Sequence, residues 1–204
     1  MVQAIELGAV VAAAVYGVLL ARRHGMDVVG ALSLAFIVSF GGGTLRDLFL
    51  DRHPLFWIGN PQYPAIVFAI AVAASLSPRV PTSERWLTVP DALGLGLFGV
   101  AGAAIARDAG AAPVVASVLA VVGGTFGGVM GDVVCNQLPS LFRPAPLYAT
   151  CAFAGAWTLM GLEAAGVGRG PATAAAAALA TGLRLLAVRR AWTLPNVGGG
   201  EGVR

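Results

Sequence analysis

From about residue 6 to about residue 75 the chain repeats itself, without a gap, 85 positions further on. The offset carries Asp47 onto Asp132, Gly42 and Gly43 onto Gly127 and Gly128, Pro54 onto Pro139, Tyr63 onto Tyr148 and Arg22 onto Arg107. A duplication of this length restricts the fold to two halves that follow one path. Each copy also sets a glycine cluster and a carboxylate inside an apolar run. The first is Gly41-Gly42-Gly43-Thr44-Leu45-Arg46-Asp47 and the second runs from Gly123 to Asp132.

The apolar runs decide the class. The chain has 204 residues, of which 57% are hydrophobic and 11% charged, against roughly 25% charged in soluble domains. That deficit leaves no water-soluble surface, so the reading is an all-α integral membrane protein. A transmembrane barrel needs alternating polarity, and these runs are continuous. Seven segments are expected, at about 3–21, 28–50, 64–77, 91–107, 112–135, 147–165 and 171–190. The third is short for a bilayer core of roughly 30 Å. The expected organisation is a first three-helix repeat over 1–77 and a polar, proline-rich linker over 78–90. A second repeat over 91–166, a seventh transmembrane helix over 167–192 and a disordered tail over 193–204 follow.

All thirteen basic residues are arginine. They sit at span ends, and no basic run interleaves with aromatics, which argues against nucleic acid as a partner. With seven spans, Arg22, Arg23, Arg79, Arg85, Arg143, Arg189, Arg190 and Arg204 share one side, and Arg52, Arg107 and Arg169 the other. The positive-inside rule places the richer side in the cytoplasm, with the N-terminus outside and the C-terminus inside. Three spans per repeat is an odd number, so the second copy enters from the opposite side. The expectation is an inverted 3+3 repeat plus a seventh helix, a transport architecture whose path lies between the repeats near the midplane.

The residues placed on that path are Gly41, Gly42, Gly43, Gly123, Gly124, Gly127 and Gly128, with Asp47 and Asp132 just beyond them. Glycine costs about 1 kcal/mol in a helix interior relative to alanine, so clustered glycines predict kinked second and fifth helices whose carbonyls border the path. Close helix packing through small residues is the competing explanation. Ionisable groups inside spans are functional by default. Arg46 and Asp47, being adjacent, do not face each other on a helix; Arg46 is therefore expected to bridge to a carboxylate or a carbonyl across the repeat interface, with Asp132 set against it and the remaining acid attracting a cation, and a purely structural Arg–Asp lock is the competing reading. The second copy carries Gly131 where the first has Arg46. Ser39, Thr44 and Thr125 add hydroxyls to the same spans. Glu6 and Asp91 read as acids at helix starts, Tyr63 and Tyr148 as interfacial aromatics, and Arg184 as an anchor near the membrane surface. Cys135 and Cys151 have no neighbours at ligand spacing, and no GxSxG, HExxH, CxxC or Walker sequence is present, so no enzyme, cofactor or resident metal is expected.

The 41–47 motif, followed by Arg52-His53-Pro54 and Phe56-Trp57, resembles the signature of prokaryotic trimeric intracellular cation (TRIC) channels, also labelled glycine transporters. The resemblance implies a homotrimer in a prokaryotic plasma membrane, in contact with lipids and without a soluble protein partner. It implies one pore within each protomer, bordered by the second and fifth helices and carrying potassium and, less favourably, sodium in transit. A secondary transporter for a small solute such as glycine is the alternative. The departure at Gly131 means that the second half cannot reuse the arginine of the first.

Overall fold

The computed structural model describes residues 2–77 and 83–195. All seven segments form helices: α1 (Val2–Arg23), α2 (Val28–Phe49), α3 (Gln62–Leu76), α4 (Glu84–Asp108), α5 (Pro113–Val134), α6 (Ala149–Ala164) and α7 (Arg169–Arg190). A 3-10 turn, Ser140–Phe142, precedes α6. Five helices, α1, α2, α4, α5 and α7, are long and apolar enough to cross a bilayer. The other two, α3 with 15 residues and α6 with 16, span only about 23 Å at 1.5 Å per residue. They hold equivalent places in the two halves. The chain before each, residues 50–61 and 135–148, is non-helical apart from the 3-10 turn. Phe56 in the first of these segments is 2% exposed, and its amide donates to the Asp47 carboxylate at 2.7 Å.

Helices α1, α2 and α3 pack on one another, as do α4, α5 and α6; α1 against α4 and α2 against α5 join the two sets, and α7 lies on α4 and α6. The 85-residue offset recurs in the backbone. Gly17 lies on Ala35 of the neighbouring helix, and Gly102 lies on Ala120. Left-handed residues close α2 at Asp51 (φ 50°) and α5 at Asn136 (φ 54°). Between the halves the contacts are reciprocal. A Cβ on Gly42 would run into the Gly123 carbonyl, and one on Gly127 into the Val38 carbonyl. Since 42 maps onto 127 and 38 onto 123, each half presents to the other what it receives.

Helices α2 and α5 are helical through their glycines, and at Gly42, Gly124 and Gly127 the missing side chains admit a neighbouring backbone carbonyl. Two expectations change. Helix α4 begins at Glu84, and residues 84–90, expected in the linker, are helical with Pro90 inside the helix. Ser83 precedes the helix, and residues 78–82 of that linker lie outside the described residues. Thr193, expected in a disordered tail, bridges to Pro146, while residues 196–204 lie outside the described residues.

Candidate functional site

A cavity of about 370 Å³ opens at the end of the molecule that carries the end of α1 and the segment before α6. Its walls include Tyr16, Arg23, His24, Asp91, Asp132, Arg143, Tyr148 and Arg184. Deeper in, between α1, α2, α4 and α5, lies a slot of about 20 Å³ bordered by Gly42, Gly123, Gly124, Gly127, Val38 and Phe98. Its volume is on the order of one water. Tyr16, Asp91, Gly128 and Tyr148 border both spaces and form the neck between them.

The neck is spanned by a hydrogen bond. The Tyr148 hydroxyl donates to Asp91 Oδ1 at 2.8 Å, beside Gly128, where a Cβ would come within 2.8 Å of that hydroxyl. The second oxygen of Asp91 accepts from Arg184 Nη2 at 3.2 Å. The Arg184 guanidinium lies over the Tyr148 ring, 4.6 Å from its centre, and donates through Nη1 to the carbonyls of Pro146 at 2.9 Å and Leu147 at 3.0 Å. Asp91 is therefore no helix-start acid: α4 has begun seven residues earlier. Tyr148 and Tyr63, expected at the headgroups, are 9% and 2% exposed. Arg184, expected as an anchor, is also buried at 9%.

Arg46 does not reach Asp132. It is wholly buried and stays within α1 and α2, where Nη2 meets Glu6 Oε1 at 2.9 Å and Asp47 Oδ1 at 2.7 Å. Neighbours on a helix cannot meet face to face, but the long arginine side chain folds back, so Nε also donates to Asp47 at 2.8 Å. Phe56 lies against the guanidinium at 5.2 Å. Arg52 joins from solvent, 3.5 Å from Asp47 and 3.8 Å from Glu6. Two arginines against two acids make the cluster neutral. Phe56 in turn meets Phe98 edge to face at 6.1 Å, so this cluster lies behind a wall residue of the slot.

The halves thus solve one problem differently. Glu6 and Asp91 are equivalent under the offset; Arg46 of α2 serves the first, Arg184 of α7 the second. Gly131 explains why, because a Cβ there would lie 2.9 Å from Val38 Cγ2 and 3.3 Å from Leu20 Cδ2. Gly131→Arg, which restores the first-half motif, should therefore destabilise the protein by about 1–3 kcal/mol through overpacking, read as a lower melting temperature in detergent.

Of the residues placed on the path from sequence, the structure brings Gly42, Gly123, Gly124, Gly127, Gly128 and Asp132 to the cavities. Asp132 is half-buried and accepts the Ser140 amide at 3.1 Å. The others pack elsewhere. Gly41 makes room for Met130 and Gly43 for the Phe56 ring. Thr44 accepts from Trp57 Nε1 at 3.0 Å, Thr125 donates to the Val121 carbonyl at 2.8 Å, and Ser39 donates to that of Val10 at 3.5 Å. Arg46 and Asp47 form the buried cluster. Tyr16, Asp91, Phe98, Tyr148 and Arg184 were missed. The available signals were an Asp next to Pro90 inside an apolar run, and an arginine six residues short of the end of the last span.

Two segments, residues 3–78 and 88–164, match the family described as glycine transporter, and they begin 85 residues apart. The UPF0126 inner membrane protein YadS of Escherichia coli (strain K12) is 35% identical over 144 residues, which is 70% of this chain and 69% of that one. The TRIC trimeric intracellular cation channel orthologue from Rhodobacter sphaeroides superposes with a TM-score of 0.87 at 34% identity, covering 94% of this chain and 98% of that one. A second TRIC cation channel structure, solved to explain conductance, gives 0.86 at 27% identity with 98% of both chains covered. The chain belongs to the TRIC channel family, which sequence classification describes as glycine transporter.

Proposed function

We propose that the chain is a passive monovalent-cation channel, permeable to potassium and to sodium, with one path inside each protomer of a homotrimer. The observation that carries this reading is the graded cavity between the two halves. A wide polar chamber holding Asp132 narrows through a neck to a glycine-bordered slot, in a chain with the fold of cation channels. Wide, wet chambers let a cation keep most of its water, so discrimination between potassium and sodium is weak. The slot, at one water's volume, belongs to a non-conducting conformation. On this reading the two halves are inverted across the plane of a bacterial inner membrane, and the chamber, flanked by Arg23 and Arg143, is the cytoplasmic mouth.

Asp132 raises the local cation concentration at that mouth. Asp132→Asn should lower the unitary potassium conductance about two- to threefold at 0.15 M salt and little at 1 M, because the screening length falls from about 8 Å to about 3 Å. Single-channel recording of the purified protein in planar bilayers measures this. Equal conductance of wild type and variant at low salt removes Asp132 from the path. Saturable glycine uptake by proteoliposomes, with no unitary current steps, replaces the channel with a transporter.

A further inference from the structure

A conducting path needs two mouths, and the chamber around Asp132 supplies one. Helix α1 leads to the other end of the molecule. Arg23 lies in the chamber wall, and Glu6 lies 17 residues earlier on the same helix, about 25 Å away at 1.5 Å per residue. The 85-residue offset carries the polar wall of the chamber onto that end: Asp132 onto Asp47, Asp91 onto Glu6, Tyr148 onto Tyr63, Gly128 onto Gly43 and Gln137 onto Arg52. Helix α2 reaches it from the slot, since Gly42 in the slot wall and Arg46 are four residues apart and share a helix face. The two arginines of this cluster are held differently. Arg46 is wholly buried and meets both acids within 2.9 Å. Its Nη1 is buried with no acceptor among the described residues, and a buried donor of that kind is satisfied by water. The Arg52 side chain is 42% exposed and stands off at 3.5 Å from Asp47 and 3.8 Å from Glu6. Arg46 alone leaves the two acids with one net negative charge, and Arg52 cancels it from the solvent side.

We propose that the second mouth of the path lies at Glu6 and Asp47, and that Arg52 sets how readily cations enter there. The inference rests on the channel reading and goes beyond it, since it locates the far mouth and assigns its charge to one side chain. Arg46 holds the two acids in place, and Arg52 covers them. With Arg52 present, a cation arriving from that side meets a neutral surface. Without its charge the same surface is negative and concentrates cations, an effect that salt screens. The glutamine at position 137 carries no charge, so the two mouths differ at this equivalent position.

The test is single-channel recording of wild type, Arg52→Gln and Arg52→Cys in planar bilayers with symmetric potassium chloride. Arg46 keeps both acids in either variant, so a monodisperse protein is expected. Arg52→Gln should raise the unitary current entering from its own side about twofold at 0.15 M salt and little at 1 M, as the screening length falls from about 8 Å to about 3 Å. Arg52→Cys is then treated with membrane-impermeant methanethiosulfonates, one carrying a trimethylammonium and one a sulfonate. Cys135 and Cys151 are buried, and wild type treated in the same way is the control. The ammonium adduct should return the current to the wild-type value and the sulfonate adduct should raise it above that of Arg52→Gln, each from one compartment only. Equal currents at 0.15 M in a conducting wild type, Arg52→Gln and both adducts overturn the role of Arg52 and leave the channel standing. Adducts that lower the current alike, whatever their charge, overturn it too. Absence of unitary steps from every protein, wild type included, overturns the channel reading and this inference with it.

Discussion

Arg46→Met is expected to lower stability by roughly 3–5 kcal/mol, the range for breaking a buried ion pair from one side. Arg46 is 0% exposed, and its guanidinium is the shared partner of Glu6 and Asp47, themselves 1% and 0% exposed. Without it two carboxylates face each other beneath Phe56, with Arg52 at 3.5 Å and 3.8 Å from the solvent side and the Phe56 amide on Asp47 as their remaining described partners. In a chain of this size the loss lowers the melting temperature by roughly 10 °C, measurable by size-exclusion chromatography after a temperature series in detergent. Arg46→Lys should recover only part of it, since an ammonium cannot span both acids with a planar fork. The triple change Arg46→Met, Glu6→Gln, Asp47→Asn should recover more than the lysine does, because it removes the buried charges together. A single Arg46→Met protein that melts like wild type would show that the cluster is not what holds α1 to α2.

Gly42→Val and Gly127→Val are expected to fail in the same way and by similar amounts. At each position the new Cβ meets a backbone carbonyl across the crossing of α2 and α5, that of Gly123 or that of Val38. Backbone cannot swing aside as a side chain does, so the helices must part along the seam between the halves. Overpacking costs typically 1–3 kcal/mol and sometimes more; valine, branched at the clash, belongs at or above the top of that range. Gly161→Ala on α6 is the control. Nothing lies within 4 Å of its Cβ position, so alanine there should be neutral or stabilising by about 0.5–1 kcal/mol. The matched cost at 42 and 127 is the sharp part of the prediction. A large loss at one site with tolerance at the other would break the reciprocity of the crossing.

These two results mark where sequence reading worked and where it did not. The glycines were picked out correctly as paired, equivalent elements of the two repeats. The carbonyl that Gly42 or Gly127 admits belongs to another helix, a contact that helix propensity, a local property, does not reveal. The acids at 47 and 132 were also found, yet their partners were not. Arg46 was set against Asp132 on the strength of a missing arginine at Gly131. The structure keeps Arg46 with Glu6 and supplies the second half from α7. Rules for neighbouring residues on a helix also discouraged the Arg46–Asp47 bond, which a flexible side chain makes at 2.8 Å.

The amino-acid sequence by itself determined the membrane class, the seven helices, the duplication at 85 residues and the shortness of the third helix. Hydropathy and spacing are sums over nearby residues, and the bilayer imposes the same length rule on every span. Only the tertiary structure decided which buried charge answers which. Glu6 and Arg46 lie 40 residues apart in the chain, and Asp91 and Arg184 lie 93 apart. A charge inside a membrane must find a partner wherever packing brings one within about 3 Å, and that distance is a property of the assembled helices.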